Sequence, residues 1–220
     1  MDILSQHEIF EIEVLDKMKS TKMLEYLVFG GGTMLRLCHE LHRYSVDLDF
    51  WFLKSMSQEA YFNKIRKAFE KDYEITYAQI KHYTILLELR SPKYPRRLKI
   101  EIRREIKDCD YQEKIAFSSF SNRQVLVKAH TLEQTMKNKI LAFLNRGEVR
   151  DCFDIEFLLR KGIEFPVELE GQLKELQKRL PRLSDADFKV KLGSILDSDI
   201  REYYISNRFS YLEEKLASIL

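Results

Sequence analysis

Asp47 and Asp49 stand two residues apart in RYSVDLDFWF, a run rich in strand formers. On a strand, residues i and i+2 project to the same face, so the two carboxylates should point together. Such a pair repels itself unless it shares a cation. Magnesium takes rigid oxygen ligands at about 2.1 Å and keeps positions open for phosphate oxygens. The alternative is an exposed pair near a strand end. Just upstream, Gly30, Gly31, Gly32 and Thr33 fall between a short hydrophobic strand candidate and a helix. Glycines leave backbone N–H groups unobstructed and a helix N-terminus favours negative charge, so the turn suits a phosphate, with the Thr33 hydroxyl beside it. It is neither a GxxxxGK[ST] loop nor GxGxxG, and turn geometry alone could account for it. A phosphate seat followed at short range by a metal seat points to phosphoryl transfer.

Three more residues stand out. In LKIEI, Leu98, Ile100 and Ile102 alternate with Lys99 and Glu101, which places Glu101 on the polar face with Lys99 and Arg103. Beside the strand of Asp47 and Asp49, Glu101 would be a metal ligand or a base; otherwise it pairs with Lys99 or Arg103. Glu88 in ILLELR is the competing acid. On a helical wheel Leu132, Met136, Lys139 and Phe143 fall within a band of about 60°. A lysine on an apolar face must extend past the helix edge or meet an anion, for instance nucleotide phosphates. Asp154 shares a helix face with Arg150, and the pair either pins two helices or touches substrate. No HExxH and no GxSxG occurs, which sets aside zinc hydrolysis and triad acyl transfer.

These residues need a sheet to hold them. The pattern predicts a helix over Gln6–Leu24, a strand at Tyr26–Phe29, a helix opened by Thr33 and reaching about His39, and a strand at Val46–Leu53. A helix over Ser57–Lys71 follows, with strands at Tyr73–Gln79, Tyr83–Arg90 and Arg97–Ile106. After about Ser118 the character turns helical, with a capping box at Thr131-Leu-Glu-Gln134 and helices near Thr131–Asn145, Val149–Lys161, Glu168–Leu180 and from Leu196 onward. The expected fold class is α+β, a mixed sheet with flanking helices. The expected division is a core over 1–118 with its N-terminal helix, then a helical part over 119–220.

The chain has 220 residues, 45% of them hydrophobic and 33% charged, which excludes a disordered or collagen-like protein. Cys38, Cys109 and Cys152 are far apart and form no CxxC, so they read as reduced and metal-free. The sequence shows no span of bilayer length, and MDILSQHEIFEIEVLD is too acidic for a signal peptide, so the expected location is the cytoplasm, away from membranes. Charges nearly balance at +2, but eight basic residues against two acids lie between Arg90 and Lys107. That stretch suits either a polyanion or the solvated edge of a sheet.

Taken together, GGGTMLRL, RYSVDLDF, LKIEI and MKNKILAFLNRGEVRDCFDIEFLL resemble the AbiEii/AbiGii toxin family of nucleotidyltransferases, over about Leu24–Leu159. The resemblance implies a polymerase-beta-like nucleotidyltransferase core. It implies that Gly31, Gly32 and Thr33 bind the triphosphate, with Ser45 just before the metal strand. Asp47 and Asp49 would hold magnesium, or manganese in its place. Glu101 would be the third carboxylate, helping to deprotonate an acceptor hydroxyl, and Lys139 and Asp154 would serve the nucleotide. The implied enzyme moves a nucleoside monophosphate from a nucleoside triphosphate to a hydroxyl acceptor, RNA and transfer RNA among the candidates, as the toxin of a toxin–antitoxin pair with a cognate antitoxin. Two rivals remain. One is a non-catalytic RNA-binding or antitoxin-interaction protein on the same scaffold. The other is a sugar transferase using its DxD, which the glycine turn immediately upstream disfavours.

Overall fold

The computed structural model describes residues 2–220. These form two compact units: the described residues up to Glu40 with Tyr44–His130, and Leu41–Arg43 with Thr131–Leu220.

In the first unit, α1 (Ile3–Ser20) opens on Asp2, whose carboxylate accepts the backbone N–H groups of Leu4 and Ser5 at 2.8 and 2.9 Å. The unit continues with β1 (Leu27–Gly30), α2 (Gly31–His39), β2 (Asp47–Phe52), α3 (Gln58–Phe69), β3 (Glu74–Ile80), β4 (Thr84–Arg90), β5 (Leu98–Arg103), β6 (Tyr111–Phe117) and β7 (Gln124–His130). The seven strands form one mixed sheet in the order β3-β4-β5-β2-β1-β7-β6. β2 runs parallel to β5 and antiparallel to β1, and β1 runs parallel to β7.

One face of the central strands is core. Leu48, Phe50 and Phe52 of β2, Leu98, Ile100 and Ile102 of β5, and Ile85, Leu87 and Leu89 of β4 are all buried. The alternate residues are half-covered, except that Arg90 and Arg103 at the strand ends are exposed. Burying one face of a period-two strand leaves the other for polar side chains, which is how Asp47 and Asp49 come to share a face.

The first five strands fall where the residue pattern predicts them. The hairpin β6–β7 does not. The expected change of character at Ser118 lies inside it, because the sheet goes on to His130. On β6 the apolar Tyr111, Ile115 and Phe117 face solvent while Gln112, Lys114 and Ala116 turn inward, so the usual pattern is inverted. Nor is the basic stretch at an edge, since β5 lies between β4 and β2.

The second unit is helical: α4 (Leu132–Arg146), α5 (Val149–Arg160), α6 (Glu170–Arg179), α7 (Ser198–Asn207) and α8 (Ser210–Ile219). Thr131 caps α4 by accepting the Gln134 N–H at 3.1 Å. Met136, Ile140 and Phe143 of α4 and Cys152, Ile155 and Leu158 of α5 are buried in its core. Among the described residues no helix is long and apolar enough to cross a membrane.

His130, the last residue of β7, is buried, and burial pushes its imidazole down to about 4. The folded state therefore prefers it neutral, while the unfolded chain protonates it near 6.5. Its contribution is complete above pH 6.5 and drains away as pH falls toward 4. Wild-type stability should drop by about 2 kcal/mol from this source between pH 7 and pH 4.5, and His130→Gln should lose that slope. Urea unfolding at the two pH values measures both.

Candidate active site

The register decides which carboxylates meet. Along the parallel pair, Asp47 lies opposite Lys99 and Asp49 opposite Glu101. Glu101 therefore stands on the strand beside the aspartates, on the same half-covered face. Glu88 is one strand further out, opposite Lys99, and its carboxylate turns away to Thr76 Oγ1 at 2.5 Å and Arg97 at 2.8 Å. The Thr76 hydroxyl and Arg97 hold it below the usual carboxylate range.

Lys99 also projects into this group. Its ammonium is 3.0 Å from Asp47 Oδ2 and 3.7 Å from Glu101 Oε2, and Arg103 approaches Glu101 at 3.8 Å. Burial works to lower the Lys99 ammonium, but Asp47, with Glu101 and Asp49 behind it, outweighs burial and raises it. Among the described residues no three His, Cys, Asp or Glu side chains converge into a finished cage for an ion. The donors nevertheless suit magnesium in kind: hard carboxylate oxygens, partly open to solvent, on a rigid sheet.

The glycine turn sits directly against the acids. Gly31 has φ +76°, and a Cβ there would collide with the Asp49 carboxylate and lie 3.0 Å from the Asp49 Cβ. Gly30 is extended, and a Cβ on it would come within 2.6 Å of the Trp51 ring and 2.8 Å of His130 Nδ1. The helix α2 already begins at Gly31, earlier than Thr33, and no described side chain caps it. The backbone N–H groups of its first turn are thus the donors of this turn. The Thr33 hydroxyl is engaged elsewhere: fully buried, it donates to the Asp47 carbonyl at 2.6 Å and ties α2 to the start of β2. Ser45 is half-buried in the irregular segment just before that strand.

α1 supports the same place from within, which the sequence did not reveal. His7 Nε2 is 2.9 Å from the Val46 carbonyl and 3.7 Å from Glu11 Oε1. Burial lowers His7, so a neutral ring with a proton on Nε2 fits the contact. Burial, with Glu8 and Asp47 nearby, pushes the Glu11 carboxyl well up. Arg36 of α2 donates to Glu8 at 2.8 Å. The only sequence signal was a set of polar residues, Ser5, His7, Glu8 and Glu11, interrupting the buried face of α1.

Lys139 and Asp154 belong to the second unit, where both are buried. The Lys139 ammonium does not extend past its helix to solvent; it lies 2.5 Å from Asp154 Oδ2 and 3.4 Å from Asp151 Oδ1. Asp154 is also held by Arg43, through a two-pronged contact at 2.6 and 2.7 Å. Arg150 is not among its partners; its Nε is buried with no hydrogen-bond acceptor among the described residues. Burial would raise Asp154, but Arg43 and Lys139 overcome it and hold the carboxyl below its ordinary value. Arg146 grips Asp151 with two hydrogen bonds of 2.7 Å. Arg43 lies 111 residues from Asp154, and nothing in the residue pattern pointed to it.

Much of the basic stretch is engaged within the protein. Arg90 pairs with Glu74, Arg97 with Glu88 and Lys107 with Glu105, while Arg104 bonds Gln58 and the carbonyls of Lys81 and His82.

A profile of the nucleotidyl transferase AbiEii toxin of type IV toxin–antitoxin systems matches residues 15–204. The chain belongs to the AbiEii family. Several solved structures share the fold of this AbiEii-family chain. JHP933 from Helicobacter pylori is 20% identical, with a TM-score of 0.56 over 96% of this chain and 94% of that one. A Helicobacter pylori protein provisionally assigned as a nucleotidyltransferase is also 20% identical, with a TM-score of 0.60 over 96% and 97%. MenT4, the nucleotidyltransferase toxin Rv2826c of Mycobacterium tuberculosis, is 15% identical, with a TM-score of 0.55 over 96% and 88%. A search of curated proteins finds no match.

Gly31→Ala should be costlier than Gly147→Ala. Both glycines have positive φ, but a Cβ at Gly147 meets nothing within 4 Å. The excess, about 1 kcal/mol or more, reads the crowding against Asp49 in paired thermal melts. In the second unit, Arg43→Met should cost about 3–5 kcal/mol by stripping Asp154 of its main partner. Lys139→Met should stay within about 1 kcal/mol of wild type, because Arg43 and Arg146 still satisfy both aspartates. Urea titrations compare the two.

Proposed function

We propose that this AbiEii-family chain is a metal-dependent nucleotidyltransferase that moves a nucleoside monophosphate from a nucleoside triphosphate to a hydroxyl of RNA, transfer RNA included. The observation that carries the reading is the single sheet face shared by Asp47, Asp49 and Glu101, with the glycine turn packed against Asp49.

In this reading Asp47 and Asp49 hold magnesium, or manganese in its place, and Glu101 supplies the third carboxylate. When bound, the ion neutralises phosphate charge and stabilises oxygens at the α-phosphorus. The acceptor oxygen forms a bond to the α-phosphorus, the bond to pyrophosphate breaks, and Glu101 takes the hydroxyl proton. The first-turn N–H groups of α2, at Gly31, Gly32 and Thr33, face the triphosphate, with Ser45 at the entry to the metal strand. Lys139 contacts phosphate, and Asp154 orients its ammonium. The role is that of a toxin answered by a cognate antitoxin, and the setting is the cytoplasm.

Asp49→Asn removes one ligand charge at nearly constant volume. It should abolish magnesium-dependent labelling of total RNA by each of the four labelled nucleoside triphosphates while leaving the far-UV spectrum unchanged. Labelling equal to wild type at saturating magnesium would overturn the assignment. Absence of labelling by the wild type with every nucleotide would favour a binding protein on this scaffold.

A further inference from the structure

Lys99 has no part in the function proposed so far, yet it holds a distinctive position. Strand register puts it opposite Asp47, one step along the same face from Glu101. Its ammonium reaches Asp47 Oδ2 at 3.0 Å and Glu101 Oε2 at 3.7 Å, bridging the two strands that carry the acids. The lysine is about one-third exposed, and so is Asp47, so the ammonium is held without being sealed in.

We propose that Lys99 is an internal competitor for the divalent cation, pairing with Asp47 and Glu101 through the oxygens a metal ion would use and so setting how tightly the ion binds. The inference rests on the metal reading given above. Three carboxylates on one face carry three negative charges, and an ammonium paired with Asp47 and Glu101 cancels one of them. An incoming ion must displace that ammonium from Asp47 or bind a less negative site beside it. Either route weakens binding relative to the same acids without the lysine. A flexible four-carbon stem makes such displacement inexpensive, and a partly exposed pair is weak enough to break.

The test is a titration of the full chain with Mn²⁺ at constant ionic strength, following the free-ion signal by electron paramagnetic resonance. Lys99→Met should bind Mn²⁺ about three- to tenfold tighter than wild type. Lys99→Arg keeps the charge and should stay within about twofold. Asp49→Asn should weaken binding in both the wild-type and the Lys99→Met backgrounds, locating the ion at these acids. If Lys99→Met lacks a cooperative melt, Lys99→Gln takes its place with the same expectation. Equal or weaker affinity in the folded neutral variant overturns the competitor role and leaves the metal reading standing. Failure of both wild type and neutral variant to bind Mn²⁺ overturns the metal reading, and this inference falls with it.

Discussion

The parallel pairing of β2 with β5 is the constraint on which the acidic face depends. Because side chains alternate with period two, a slip of one residue would send Asp47 and Asp49 into the core and Leu48 and Phe50 to the surface. The apolar undersides prevent that slip: buried Leu48 and Phe50 of β2 pair in register with buried Ile100 and Ile102 of β5. The hydrophobic face thus fixes the chemistry of the opposite one. The position of Glu101 beside Asp49 follows from where Ile100 and Ile102 must lie.

The segment leading into β2 is fastened at successive points. Arg43 is held by Asp154, the Val46 carbonyl by His7, and the Asp47 carbonyl by the Thr33 hydroxyl. Each tie uses a buried polar group, which is costly to leave unmatched, so each restricts the backbone to one path. Gly31 completes the arrangement from the other side, since any larger residue would move Asp49. The carboxylates are thus set by their surroundings, as a site of charged ligands requires.

The sequence made some of this legible and not the rest, for physical reasons. Alternation in DLDFWF and LKIEI fixed which face the acids share, because one face of each strand is buried. It could not choose between Glu101 and Glu88, since both occupy polar positions of apolar strands; only the strand order separates them. β6 escaped notice because its apolar residues point outward. Lys139 was visible as an anomaly, but its partners Asp151 and Asp154 were not. Arg43 and His7 were invisible: a buried pairing across many residues leaves no local period to read.

The short run Leu41–Arg43 has a topological consequence. Though it lies between α2 and β2 of the sheet unit, it belongs to the helical unit, where Arg43 pairs with Asp154 and bridges Leu196. No single scission of the chain therefore releases either unit whole. A fragment ending at His130 keeps a buried arginine without its acid, and a fragment beginning at Thr131 keeps the acid without its arginine. On an emerging polypeptide, this arginine must wait more than a hundred residues for its counter-charge.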